Sequence, residues 1–93
     1  MEESTGAILD LRAQIDQIDL ELLHLLSTRA TVVQQIQRAK REFGFPSYSA
    51  ARESEIVSRL REANRGPLPD DAIEDIFLRI LQHSLSSLVV EDE

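Results

Sequence analysis

Ninety-three residues, 42% apolar and 29% charged with a formal net charge of -7, make one small globular domain, too apolar for a disordered chain and short of core unless copies associate. With no cysteine in the chain, a disulfide framework, a thiolate metal site and a cysteine nucleophile are excluded, which suits a reducing cytoplasm. The acidic balance argues against nucleic acid or an anionic membrane as the main partner, since both demand a cationic face.

The amino terminus, Met1 to Thr5, is acidic and lacks the basic-then-apolar layout of a secretory signal. Residues 1–6 read as a frayed end. No segment approaches the roughly 20 apolar residues needed to cross a bilayer, so the domain is expected to be soluble and cytoplasmic. From Ala7 to Glu42 the apolar residues keep a three-four spacing through Ile8, Leu11, Ile15, Ile18, Leu22, Leu25, Val32 and Ile36. That spacing predicts one amphipathic helix. At 1.5 Å per residue it would be about 55 Å long, against a radius of gyration of roughly 12 Å for a compact chain of this size. The remaining residues cannot cover it, and the cheapest cover is a second copy of the same chain.

Arg29 interrupts the stripe. A guanidinium there needs an anion or other acceptors, unless it snorkels to the surface or pairs with a nearby Glu. Lys40, eleven residues on, falls within about 20° of Arg29 around the helix and roughly 16 Å along it, so two long side chains could converge on a small anion. Arg12 lies about 25 Å from Arg29 and cannot join such a site within its own helix, whereas an antiparallel partner would bring its own Arg12 there. Nine of the ten basic residues are Arg and only Lys40 is Lys, a bias suited to bidentate carboxylate binding.

Gly44 and Pro46 end the first helix, and Phe43 and Tyr48 beside them read as core plugs. Ser49 is placed to cap a second helix from Ala50 to about Asn64, with Ile56, Val57, Leu60 and Ala63 as its apolar face. Arg52 shares a side with Ile56 and points inward or into solvent, while Arg59, Arg61 and Arg65 read as a wet face with Glu53, Glu55 and Glu62. After Gly66, Pro67 and Leu68, Pro69 suits the first position of a third helix reaching about Val90, with Asp70 and Asp71 at the positive end of its dipole. Ser84 shares a face with Phe77, so its hydroxyl either enters a site or bonds back to its own i-4 carbonyl. Residues 91–93 read as a disordered tail. His24 and His83 lack partners at metal-ligand spacing, and the adjacent pair His83 and Ser84 would point about 100° apart, which disfavours a histidine-assisted serine. The expected fold is all-α, long helix, short helix, medium helix, over residues 1–93 as one domain.

The stretch Leu11-Arg12-Ala13-Gln14-Ile15-Asp16-Gln17-Ile18-Asp19, the run Leu22-Leu23-His24-Leu25-Leu26 leading to Arg29, Ile36 through Ala39-Lys40, Arg52-Glu53 after the Pro46 loop, and Ile76-Phe77 with Ser84 together resemble the all-helical, AroQ-class chorismate mutases, from Ile8 to about Leu88. The resemblance implies an intertwined antiparallel helical homodimer of the chorismate mutase II type, with two sites that each use both chains. It implies that Arg29, Lys40, Arg52, Glu53 and Ser84 of one chain and Arg12 of the other line each site. The implied reaction is the Claisen rearrangement of chorismate to prephenate, in the branch of the shikimate pathway that leads to phenylalanine and tyrosine. It needs no metal, cofactor or covalent intermediate. On the same resemblance Lys40 would face the ether oxygen, Arg12 and Arg29 would clamp carboxylates, Glu53 would hold the ring hydroxyl, and Arg52 and Ser84 would complete the lining.

Two positions depart from the family pattern. Ser49 stands where many relatives carry Asp, and Leu88 stands four residues after Ser84 where Gln or Glu is usual; Ser87 is a polar neighbour. A leucine cannot donate to the ether oxygen, which leaves room for a second reading. In it the domain senses chorismate or prephenate and regulates a partner or fused enzyme such as 3-deoxy-7-phosphoheptulonate synthase. An isochorismate pyruvate-lyase on a related fold and a ligand-free dimerisation scaffold are further alternatives.

Overall fold

The protein is described by a computed structural model, which covers the backbone of residues 2–45 and 49–92 and the side chains of 5–45 and 49–84. Three helices follow in order: α1 (Glu2–Phe43), α2 (Ala50–Ala63) and α3 (Asp70–Asp92). No strand occurs among the described residues.

Both ends are more helical than the residue types suggest. Helix α1 includes residues 2–6 and α3 includes 91–92, all expected without structure. At the start of α1 no proline intervenes, and acidic residues at the first positions favour the positive end of the dipole. Pro69 lies one residue before α3, not at its first position. Its carbonyl accepts from the backbone N–H groups of Ala72 and Ile73, both at 3.1 Å. Outside the helix the missing proline N–H costs nothing.

The chain divides into two compact units, Met1–Val32 and Val33–Glu93. In the first, the stripe runs as the periodicity requires, and it is bare: Ile8, Leu11, Ile15, Ile18, Leu22 and Leu25 are between 49% and 63% exposed. None of the described residues is buried. Such an apolar strip in water is the signature of an association surface.

The second unit is organised by α2 packing on α3. Asn64, just past α2, ties the turn together. Its backbone N–H bonds to the Leu60 and Arg61 carbonyls, at 2.9 Å and 3.3 Å. Its side-chain Nδ2 donates to the Leu68 carbonyl at 2.9 Å and to Asp70 at 2.8 Å, while its Oδ1 accepts from the Gly66 N–H at 3.0 Å. The turn also needs a left-handed residue, which Gly66 supplies at φ +75°. Arg61 leaves the wet face expected for it and donates across to Asp71 at 3.1 Å and Glu74 at 3.0 Å on α3. The reason is the short turn, which sets the acidic first turn of α3 beside the last turn of α2. The hydrogen bond to Asp71 and the surrounding negative charge hold the Arg61 pKa above its ordinary value, so the guanidinium stays charged at any physiological pH.

Phe43 also departs from expectation. It is 73% exposed and Phe45 65% exposed, because Phe43 ends a stripe that the single chain leaves bare; Tyr48, its companion in that reading, lies outside the described residues. Replacing Asn64 with Ala removes two donors and one acceptor from the turn. It should cost about 1–2 kcal/mol, at roughly 1 kcal/mol per net hydrogen bond with partial replacement by water. A thermal melt of Asn64→Ala at fixed protein concentration should show a Tm lower by several degrees.

Candidate active site

Four residues of the candidate site are placed by helix ends. Lys40 sits in the last turn of α1, where Gly44, at φ +77°, takes the left-handed conformation that ends many helices. The Phe45 N–H reaches back to the Lys40 carbonyl at 2.7 Å and the Gly44 N–H to the Arg41 carbonyl at 3.2 Å. This paired closure is the Schellman motif. It fixes the backbone of Lys40 and places its cation at the negative end of the α1 dipole. Lys40 is half-buried.

Ser49 is the cap of α2, as its residue type suggests. Its Oγ accepts from the Arg52 N–H at 3.1 Å and its carbonyl from the Glu53 N–H at 3.1 Å. One capped turn therefore brings Ser49, Arg52 and Glu53 together. Glu53 is half-buried. Arg52 is exposed, and its Nη1 donates to Glu55 at 2.8 Å. By residue type Glu55 belongs only to a solvated face, although its i,i+3 spacing from Arg52 is the signal that finds the pair.

Ser84, half-buried on α3, donates its hydroxyl to the Ile80 carbonyl at 2.9 Å. The back-bond foreseen for a helical serine therefore forms, and the oxygen keeps its lone pairs as acceptors. Leu88 lies on α3, but its side chain and that of Ser87 fall outside the described residues.

Arg12 and Arg29 belong to the first unit. Arg12 is exposed. Seventeen residues of helix separate the two by about 25 Å, so they do not meet within one chain. Arg29 is half-buried, and its Nη1 is shut off from solvent without a hydrogen-bond partner among the described residues. A buried donor of a charged group left unpaired costs about 1–3 kcal/mol or more.

An all-helical chain with one guanidinium nitrogen shut off from solvent and without a partner among the described residues, and further cations at helix ends, fits a helical domain for an anionic ligand. Comparison with known proteins sharpens this. A family model described as chorismate mutase type II matches residues 11–87, and the chain belongs to that family. It is 40% identical over 78 residues to a T-protein of Enterobacter agglomerans, an alignment covering 83% of this chain and 21% of that protein. It is 33% identical over 81 residues to a bifunctional chorismate mutase/prephenate dehydratase of Aquifex aeolicus, covering 83% of this chain and 22% of that protein. The chain thus spans about a fifth of the length of the curated relatives it matches. Among solved structures, a chorismate mutase of Thermus thermophilus superposes with a TM-score of 0.84 at 40% identity, covering 85% of this chain and 90% of that one.

Because Arg29 has an unpaired buried donor, Arg29→Met should leave the ligand-free protein as stable as the wild type or more stable, by on the order of 1 kcal/mol. Urea unfolding without ligand checks this. A loss above about 1 kcal/mol would mean that the guanidinium has an acceptor in the free protein.

Proposed function

We propose that this chain is a chorismate mutase, working as an antiparallel homodimer that converts chorismate to prephenate by an intramolecular Claisen rearrangement. The observation that carries the reading is Arg29, whose Nη1 is buried and unsatisfied, on a chain whose family is chorismate mutase type II. A dicarboxylate would supply the acceptor that Arg29 Nη1 lacks among the described residues.

The bare stripe of α1 supports a second copy. An antiparallel α1 of the partner covers the apolar face and carries its own Arg12 toward the Arg29 of the first chain, which one helix alone cannot do. Each site then draws on Arg29, Lys40, Ser49, Arg52, Glu53 and Ser84 of one chain and Arg12 of the other, with Leu88 at its edge.

The rearrangement is unimolecular: the ether C–O bond breaks as a C–C bond forms, and no proton, metal or redox step is required. Its barrier falls when the enolpyruvyl arm is held folded over the ring, and when a cation faces the negative charge growing on the ether oxygen. Arg12 and Arg29 clamp the carboxylates, Lys40 faces the ether oxygen, Glu53 takes the ring hydroxyl, and Arg52, Ser49 and Ser84 line the remainder. The setting this reading implies is the cytoplasm, where the substrate is a small soluble metabolite; no helix among the described residues is long and apolar enough to cross a membrane.

Leu88 favours the second reading, a module that binds chorismate or prephenate and controls a partner or fused enzyme of the pathway. A leucine offers no donor to the ether oxygen, and one missing donor of this kind costs on the order of a hundredfold in rate.

The test is chorismate loss followed by absorbance with purified protein. Arg29→Ala and Lys40→Ala should each lower kcat/KM by on the order of a hundredfold or more. Wild-type loss no faster than the spontaneous reaction would overturn the enzyme, and binding without turnover would favour the sensor. Leu88→Gln should raise kcat, by up to on the order of a hundredfold, if it restores the missing donor. Light scattering should give twice the 10.5 kDa of the chain; a monomer at all working concentrations would remove the shared site.

A further inference from the structure

We propose that Glu55 is a positioning residue that competes with the substrate for Arg52, an inference that rests on the mutase reading above. Arg52 is the third residue of α2 after its cap, so its cation sits near the positive end of the helix dipole, where a cation is disfavoured and seeks an anion. Glu55, one turn on, supplies it: Arg52 Nη1 lies 2.8 Å from Glu55 Oε1.

Three features make this contact releasable. It uses one nitrogen of the guanidinium, leaving the paired fork that grips a carboxylate unused. Both side chains are more than half exposed, a setting in which an ion pair holds weakly and exchanges with water or another anion. The same Glu55 oxygen also accepts from Arg59 Nη2 at 3.4 Å, so when Arg52 departs, Glu55 keeps a cation beside it. Release of Arg52 therefore leaves no carboxylate unpaired. Arg12 and Arg29 clamp the carboxylates of a dianionic substrate, but each carboxylate accepts at several lone pairs, so the dianion still offers Arg52 an acceptor free of that sharing. In the empty protein Glu55 holds the arginine along α2, and binding is an exchange of one carboxylate for another on the same guanidinium.

The isosteric change Glu55→Gln removes the competing charge and keeps the volume. Chorismate turnover and calorimetric binding of prephenate should be measured together for wild type, Glu55→Gln, Arg52→Ala and the double variant. Glu55→Gln should lower KM and Kd about two- to fivefold, the range that an exposed ion pair supports, with kcat changed by less than about twofold. In the Arg52→Ala background the same substitution should leave Kd unchanged, because its effect passes through Arg52. Raising the ionic strength should shrink the difference between wild type and Glu55→Gln, as screening weakens the exposed pair.

A Glu55→Gln protein with unchanged or raised KM and Kd overturns the inference while leaving the mutase reading intact. So does a fall in Kd that persists in the Arg52→Ala background, which would mark a general field effect. A wild type that neither binds prephenate nor turns over chorismate overturns both.

Discussion

The apolar stripe of α1 and the guanidinium set into it impose one constraint from which the rest follows. Leucine and isoleucine side chains that remain half exposed gain little from the hydrophobic effect, and an arginine donor cut off from water without an acceptor among the described residues is a net cost. Both deficits sit on one helix, and neither is made good among the described residues of the single chain. The apolar deficit calls for another helix and the polar one for an anion. Under the proposed function, folding, assembly and ligand capture are coupled, and whatever occupies the folded form deepens its stability by mass action.

The proposed function asks an acidic protein to hold a dianion. With a net charge of -7, the long-range field repels the ligand, so attraction has to be local and short of water. The two cations placed by helix ends illustrate opposite solutions. Lys40 lies where the α1 dipole favours a cation, and its charge is stabilised by the backbone itself. Arg52 lies where the α2 dipole opposes it, and a carboxylate one turn away offsets that repulsion. The first is a fixed electrode and the second an exchangeable one.

Features set by near neighbours in the chain are legible in the sequence. The three-four spacing marks α1, Gly44 and Pro46 mark its end, Ser49 reads as a cap because serine accepts from the next turn, and the Ser84 back-bond follows from its helical position. Features set by how the turn between α2 and α3 folds are not. Arg61 looks like any solvated arginine until a tight turn brings Asp71 and Glu74 to it, and Asn64 looks like a mere helix end until the same turn folds around its side chain. Phe43 misleads because an aromatic beside a loop usually packs, whereas here it ends a stripe awaiting cover. The candidate site is legible in two layers. Periodicity singles out Arg29 and its neighbour Lys40 and shows that Arg12 can join only from a second copy. The roles of Arg52 and Glu53 come from family resemblance alone, since nothing in their spacing distinguishes them from an ordinary wet surface.

The closure at Gly44 has a consequence for how this domain can diverge. The backbone of Lys40 is anchored by the N–H of Phe45, only two residues past the end of α1, so the lysine is registered to α1 and not to the connector beyond. Insertions, deletions or a grafted segment after Phe45 would leave the ammonium group where it is, while moving α2 and the residues it carries. Under the proposed function, such changes would alter the α2 side of the site, and with it substrate preference, without disturbing the charge that Lys40 carries.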